Sequence, residues 1–507
     1  MVQESEEEKE IYRKGYYGFL MCIIGPIIFF YFPWFMEFII QQNMRLNEGS
    51  FITDSWANPP SGAYAYIYVF NVTNPRDVTY GKPPVLSEVG PFILRTEMKK
   101  NITRWNVDEG TVEFKGSMKF FAEDEMSDES GKQPIFILNL AALGVATIMK
   151  ERNLLLIGSF IYNMLMSQER LILRTTARQF LVDGLPVKFL NSLSGILGFI
   201  KGIFGNILKN GAINIFYVLN NSAPEVSVVA TGHKPNRSMG EIIKFKGKPT
   251  LSTWGNEYCD RINGSEGVTF RYPIRRKIQY FFLGPFCRSM RLDYMGNDDV
   301  YGIPTKKFYM DSMFISHHYI RANKCFCPDN EYCRYNGTLP LGKCLFGLPI
   351  TYSKPHFYGA DPIYHEMIKG LKPDADRHQS YFHINTMLAM PLQVRVCIQI
   401  NLNVKASRNL RLVANLRDMM LPVAWINLTA GIMGSGHEWK VFAGLVGPVY
   451  LARVIGIVVT LVGIIRLSKA LFLPLRKKDN EISSTKVYPI DDHISIKKDH
   501  FGKIEKF

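Results

Sequence analysis

GYYGFLMCIIGPIIFFYFPWFMEFII, Gly15 to Ile40, is longer than the roughly 20 apolar residues a helix needs to cross a ~30 Å hydrocarbon core. A second run, VFAGLVGPVYLARVIGIVVTLVGIIRL, spans Val441 to Leu467. Core helices of soluble proteins are seldom this long and this apolar. Both runs therefore read as membrane spans, over 16–40 and 441–467, rather than as buried helices. Pro26 and Pro33 are tolerable in a membrane helix whose freed carbonyls find local partners. Arg453 leaves two readings of the second span. Either it begins near Val454 and runs toward Leu473, or Arg453 snorkels to the outer interface.

The cations around the spans orient the chain. Lys9, Arg13 and Lys14 precede the first span, and only Arg45 follows it closely. Lys440 precedes the second, whereas Arg466, Lys469, Arg476, Lys477 and Lys478 crowd its far side. Both tails, 1–15 and 468–507, are thus expected in the cytoplasm. The first span has no small-residue cleavage site behind it and reads as an uncleaved signal anchor. Residues 41–440 lie between the anchors, outside the cytosol. The 507 residues are 47% apolar and 21% charged, a globular composition. A net charge of +15 favours anionic partners. The topology removes nucleic acid from them.

Seven of the eight cysteines fall in the outer segment: Cys259, Cys287, Cys325, Cys327, Cys333, Cys344 and Cys397. Cys22 lies in the first span, where it is a buried thiol or an acylation site. An oxidising compartment makes disulfides the default. Six cysteines between 259 and 344 allow fifteen pairings, which spacing cannot choose among. A zinc site on His317, His318, Cys325 and Cys327 is the rival reading of that region. Asn-X-Ser/Thr sequons begin at Asn71, Asn101, Asn220, Asn236, Asn263, Asn336 and Asn427, all in the outer segment.

Strand signals dominate the ends of this segment. GAYAYIYVFNV sets Tyr64, Tyr66, Tyr68 and Phe70 on one face. VSVVATG and PLQVRVCIQINLNV read likewise. In the latter, Val396, Ile398, Ile400 and Leu402 point one way, and Arg395, Cys397, Gln399 and Asn401 the other. The middle has helical spacing in ILNLAALGVATIMKERN, in ERLILRTTARQFLVDG with an Asp-Gly suited to a C-terminal cap, and in GILGFIKGIFGNILKNG. From Lys150 to Lys209 there are eight basic and three acidic residues, a net +5. That suits either an ordinary solvated helical face or a cationic platform for anionic particles.

Several motifs together resemble the class B scavenger receptor family. They are VFNVTNP with EVGPFILR, STWGNEYCDRINGSEG, FCRSM, YGIPTKKF, CFCPDNEYC, GKCLFGLPITYSKPHFYGADP and LPVAWIN. The resemblance implies a membrane protein with two transmembrane helices and an α+β ectodomain: an antiparallel β-barrel-like body, an apical helical bundle at about 139–211 and a lipid tunnel. It implies the pairs Cys259–Cys325, Cys287–Cys344 and Cys327–Cys333 within the disulfide-rich region 259–344, leaving Cys397 unpaired. It also implies ligand contacts at the basic apex, where Lys150, Arg152, Arg170, Arg174 and Arg178 are the candidates.

The partners implied are lipids (fatty acid, sterol or phospholipid) or lipoprotein particles, with no cofactor and no metal. A receptor that needs no chemical step fits the absence of G-x-S-x-G and H-E-x-x-H motifs, and no catalytic residue is assigned. An adhesion or uptake receptor for protein, apoptotic-cell or microbial ligands is the second reading, and a trimeric two-span channel or a tethered hydrolase are further ones. The C-terminal tail lacks a convincing acidic dileucine signal. The plasma membrane is therefore expected, with the lysosomal or endosomal membrane as the alternative.

Overall fold

The computed structural model describes residues 6–59, 63–122, 133–186, 208–209, 212–213, 225–274, 277–310, 321–327, 335–345, 347–431 and 438–484. The chain divides into two compact units, Met1–Glu37 with Val446–Phe507, and Phe38–Leu445.

In the first unit, helix α1 (Glu6–Asn43) continues through Pro26 and Pro33. The other long helix, Gly447–Ser484, follows a short helix at Glu438–Leu445. Val446 interrupts the two, and Pro448 then occupies a first-turn position that needs no intrahelical N–H donor. The stretches apolar enough to span a membrane are Lys9–Asn43 and Gly447–Leu473. Arg453 therefore falls inside the second helix, with its guanidinium 5.7 Å from the Phe29 ring centroid.

Glycines let the two backbones meet. A Cβ on Gly18 would lie 2.8 Å from the Leu467 nitrogen and 3.0 Å from the Gly463 carbonyl oxygen. One on Gly456 would lie 2.7 Å from the Gly25 carbonyl oxygen. Small residues at such a seam replace the hydrophobic drive that lipid cannot supply. Cys22 sits on this seam, half-buried, its backbone nitrogen 2.9 Å from where a Gly463 Cβ would stand.

The second unit is built on strands. They are β1 (Ala63–Val72), β2 (Leu86–Asn106), β3 (Thr111–Ala122), β4 (Pro134–Leu138), β5 (Ile172–Thr176), β6 (Leu185–Pro186), β7 (Leu208–Lys209), β8 (Ala212–Ile213) and β9 (Val226–Ala230). Then come β10 (Ile242–Phe245), β11 (Ile278–Leu283), β12 (Arg288–Val300), β13 (Ile303–Tyr309), β14 (Thr338–Pro340), β15 (Ile350–Ser353), β16 (Tyr381–Asn385), β17 (Pro391–Val404) and β18 (Met419–Gly431). Among the described residues, 13 strands form one sheet in the order β10, β9, β3, β2, β1, β18, β17, β16, β13, β12, β11, with β15 branching from β17 and β14 from β15. Every pairing in it is antiparallel.

The outer strands β10 and β11 are joined through a wedge rather than by direct pairing. The Ile242 N–H donates to the Gly264 carbonyl at 3.0 Å, the Ser265 N–H to Tyr280 at 3.1 Å and the Phe282 N–H to Ser265 at 2.8 Å. This nearly closes the sheet and leaves little exposed edge. β1 shows the expected alternation: Ala65, Ile67 and Val69 are buried and Tyr64, Tyr66 and Tyr68 half-buried. Phe70 is also buried, beyond a register shift between Ile67 and Val69. β17 alternates too. In its middle, though, the more deeply buried face carries Cys397, Gln399 and Asn401, where the His356 N–H of the turn after β15 donates to Gln399 Oε1 at 2.7 Å.

Helix α2 (Phe51–Ala57) is pinned to β2. Lys100 Nζ donates to the Trp56 carbonyl at 3.0 Å, lies 4.5 Å from the Trp56 ring centroid and pairs with Glu266 at 3.3 Å. A short turn, α3 (Pro75–Thr79), follows β1. α4 (Leu140–Glu151) and α5 (Leu155–Leu165) form the described part of the helical insertion. Asn139 caps α4 by accepting from the Ala142 N–H. Ala142, Leu143, Ala146 and Thr147 then face the core. Thr147 Oγ1 donates to the Asn403 carbonyl at 2.9 Å and ties the helix to the end of β17.

One expectation is overturned here. ERLILRTTARQFLVDG is not a continuous helix: Ile172–Thr176 is strand β5, paired antiparallel with β4. Only 177–183 is helical, with Gln179–Asp183 a π-helical turn, and it ends at Gly184 with φ 95°, where the Asp-Gly was expected to cap. Ile172, Thr175 and Thr176 are β-branched, and an available partner strand outweighs their weak helical pattern. The expected helix over GILGFIKGIFGNILKNG lies largely outside the described residues, and Leu208–Lys209 within it is the short strand β7.

Candidate functional site

The five basic apex residues sit in different settings. Lys150 Nζ donates to the Ala406 carbonyl at 2.8 Å and pairs with Asp418 at 3.2 Å. It holds α4 against the body. Arg178 lies 3.9 Å from Asp183 in an exposed pair. Arg152, Arg170 and Arg174 are exposed, at the end of α4, before β5 and on β5. The feature the basic residues did not reveal is α5. Leu156 is 95% exposed, Phe160 75% and Met164 54%. These residues recur every fourth position and share one helix face. An apolar stripe left in solvent on a short helix is a candidate contact surface. Its signal in the sequence is LLIGSFIYNML, an 11-residue helix without a charge.

Beneath this insertion, an apolar slot lies between the sheet and α4. Phe70, Leu86 and Leu421 line it from the sheet; Leu138, Leu140 and Phe180 line it from the other side. Its volume is about 10 Å³, room for one water.

A buried polar cluster sits on the same sheet. Glu88 Oε2 accepts from Trp425 Nε1 at 2.9 Å and from His356 Nε2 at 2.8 Å, while Oε1 accepts from Arg377 Nη2 at 2.7 Å. Trp425 stacks flat on Tyr68 with centroids 4.1 Å apart. His378 stacks on His356 at 4.7 Å. Glu88, His356 and His378 are close enough together to suggest a metal, but the ring tautomers oppose it. His356 Nδ1 accepts from the Lys372 N–H at 3.0 Å and His378 Nδ1 from the Asp374 N–H at 2.9 Å. A backbone N–H can only donate, so each neutral ring carries its proton on Nε2 and offers no lone pair there. The cluster is a hydrogen-bonded anchor for a carboxylate.

Burial raises the Glu88 carboxyl, and the bonds from His356, Arg377 and Trp425 outweigh it, holding the pKa at about 2. Burial first, with the Arg377 charge nearby, pushes His378 down to about 4 from 6.5. The unfolded chain therefore takes up a proton at His378 between pH 6.5 and 4 that the folded chain refuses. Stability falls across that window by up to about 1.4 kcal/mol per pH unit. Glu88 loses its contribution only below pH 4.5. Melting of the purified protein should thus occur at lower temperature at pH 5 than at pH 7, and His378→Asn, which keeps an acceptor for the Asp374 N–H, should flatten that difference. An unchanged pH slope in the variant would contradict this assignment.

In the disulfide-rich region, Cys259 is joined to Cys325 and Cys287 to Cys344. Cys327 is also disulfide-bonded; its expected partner Cys333 lies outside the described residues, as do His317 and His318 of the zinc alternative. Cys397 is a free, buried thiol, which burial pushes up to about 11.

Among the sequons, Asn101, Asn236 and Asn263 are exposed, Asn71 and Asn336 half-buried, and Asn220 outside the described residues. Asn427 is 9% exposed in mid-β18, opposite Cys397. Its side chain packs against the neighbouring strand and leaves little room for a sugar. Asn101→Gln, Asn236→Gln and Asn263→Gln should each remove one glycan by gel shift, whereas Asn427→Gln should leave the mass unchanged. A shift at Asn427 would refute its burial.

The CD36 family model matches residues 16–473. Scavenger receptor class B member 1 of Mus musculus is 29% identical over 425 residues, 83% of this chain and 80% of that protein. Sensory neuron membrane protein 1 of Apis mellifera is 27% identical over 423 residues, 81% and 80% of the two chains. Lysosome membrane protein 2 of Rattus norvegicus is 27% identical over 390 residues, 76% and 79%.

Proposed function

The chain belongs to the CD36 family, a two-span membrane protein with an α+β ectodomain, and from that premise we propose that it is a cell-surface receptor for lipids or lipoprotein-like particles. The observation that carries this reading is the solvent-facing stripe Leu156, Phe160 and Met164 on α5, with Arg152, Arg170 and Arg174 exposed on the segments that precede and follow that helix in the chain. Apolar side chains enter the surface of a particle, and the cations hold its anionic headgroups. Lys150, engaged with Asp418, serves the platform as a structural support.

Captured fatty acid, sterol or phospholipid then passes inward along the slot between α4 and the sheet, which opens into a tunnel as side chains part. Each methylene kept from water there contributes about 0.8 kcal/mol. No chemical step and no cofactor are required. The plasma membrane suits a receptor that meets particles outside the cell, and likeness to a lysosome membrane protein supports a second residence in that organelle.

The test uses purified full-length protein in neutral vesicles. Lipid extracted from it is identified by mass spectrometry, and transfer of labelled sterol from particles to vesicles is followed. Leu156→Asp with Phe160→Asp should abolish particle binding. Protein that carries no lipid and transfers none would sink the proposal and favour an adhesion receptor.

A further inference from the structure

The seam that closes the sheet is flanked by a cleft of about 410 Å³. Ile278 and Tyr280, two apart on β11 and so on one face of it, give the cleft a half-buried apolar wall. Its polar groups are of both signs. Glu241 contributes a carboxylate, which accepts from the Ser238 N–H at 3.1 Å, and Arg271 and Lys277 are exposed at the lining. Asn263, the acceptor residue of the Asn-Gly-Ser sequon 263–265, is itself part of this wall and is exposed.

The sequon is fixed against the strands beside it. The Asn263 N–H donates to Ser289 Oγ at 2.9 Å. Gly264 has φ 91°, and a Cβ there would run into the Tyr280 carbonyl. The Ser265 N–H donates to that carbonyl at 3.1 Å, and Ser265 is buried. An attachment point held in this way keeps what it carries at the cleft. Asn101 differs: it is exposed on β2, opposite Lys115, and takes no part in the lining.

We propose that this cleft seats the first sugar of the chain's own N-glycan at Asn263. A pyranose ring has an apolar C–H face and a rim of hydroxyls. The C–H face lies on Ile278 and the Tyr280 ring. Glu241 accepts from a hydroxyl, since a carboxylate has more lone pairs than the Ser238 N–H uses, and Arg271 and Lys277 donate to ring substituents. A lining with both charge signs suits a neutral polyhydroxyl ligand better than an anion or a plain hydrocarbon. The volume falls in the range of small-molecule sites. A tether one side chain long holds the sugar at an effective concentration on the order of mM, so contacts too weak to capture free saccharide suffice. The site is separate from the apex and the slot and does not depend on the lipid-handling reading.

The experiment digests full-length protein bearing high-mannose glycans, in phosphatidylcholine nanodiscs, with a peptide N-glycosidase. Release at each sequon is timed by mass spectrometry of the Asn-to-Asp change. Native release at Asn263 should be slower than at Asn101 by about tenfold or more, which corresponds to about 1.4 kcal/mol of protection, and the two rates should agree once the protein is denatured. Tyr280→Leu removes the aromatic face and should abolish most of that difference. Glu241→Gln, which keeps an acceptor for the Ser238 N–H, should also speed release at Asn263. Asn263→Gln uncovers the apolar wall and should lower Tm by about 2 °C or more, whereas Asn101→Gln should leave Tm unchanged.

Absence of a glycan at Asn263, native release there as fast as at Asn101, or a Tm unchanged by Asn263→Gln would each overturn the seat. So would slow release that neither Tyr280→Leu nor Glu241→Gln relieves, since crowding at the wedge would then explain the protection without sugar contacts. If Tyr280→Leu fails to fold, the release rate of Glu241→Gln decides the question alone.

Discussion

Glu88→Leu is expected to destabilise the ectodomain by about 3–5 kcal/mol, enough to keep most of the protein from reaching the cell surface. The carboxylate takes hydrogen bonds from three side chains, Trp425, His356 and Arg377. Leucine fills similar space and accepts none of them. The Trp425 indole N–H and the His356 Nε2–H are then left in the interior without an acceptor, and Arg377 loses its counter-ion. Glu88→Gln keeps an acceptor and removes the charge, so it should fall between wild type and leucine. Denaturant titration of the purified protein measures the order. Equal stability of wild type and Glu88→Leu would show that the cluster carries no net stabilising energy.

The second large effect is expected from Cys259→Ser with Cys325→Ser. The bond they form closes a separation of 66 residues. In the chain-entropy picture its loss stabilises the unfolded state by about 4 kcal/mol. The pair joins the short helical turn Glu257–Asp260 to the turn Arg321–Phe326, in a core where Trp254 meets Phe326 at 5.1 Å and the Arg288 guanidinium lies 3.8 Å from the Phe326 centroid. The unfolded chain gains freedom, and this buried aromatic packing loses its fastening. Retention of the double variant inside the cell, read by glycan trimming and surface labelling, is the expected result. Normal export with wild-type Tm would show that the packing alone suffices.

The candidate surface was only half legible in the sequence. Charge counting finds Arg152, Arg170 and Arg174, but it ranks Lys150 with them. What separates Lys150 is Asp418, a carboxylate from the far end of the chain. The exposed stripe of α5 shows the opposite failure. An uncharged helix reads as core by composition, and only its packing reveals that Leu156, Phe160 and Met164 are left outside. The strand β5 was missed because its partner, β4, lies beyond an intervening pair of helices, and local periodicity cannot see a partner.

What the amino-acid order determined by itself is the frame. Two apolar runs with flanking cations set the membrane topology. The alternation of GAYAYIYVFNV and PLQVRVCIQINLNV marked β1 and β17, and the motifs from VFNVTNP to LPVAWIN carried the family. These signals are local: hydrophobic length, the period of a strand and the sign of nearby charge act within a few turns of the chain. Only the tertiary structure decided that Glu88 meets His356, Arg377 and Trp425. It alone set the polar side of β17 inward and closed the sheet through Gly264–Ser265. Each depends on groups far apart in the chain arriving at one place, and the energy that selects them, burial offset by hydrogen bonding, exists only once they have met.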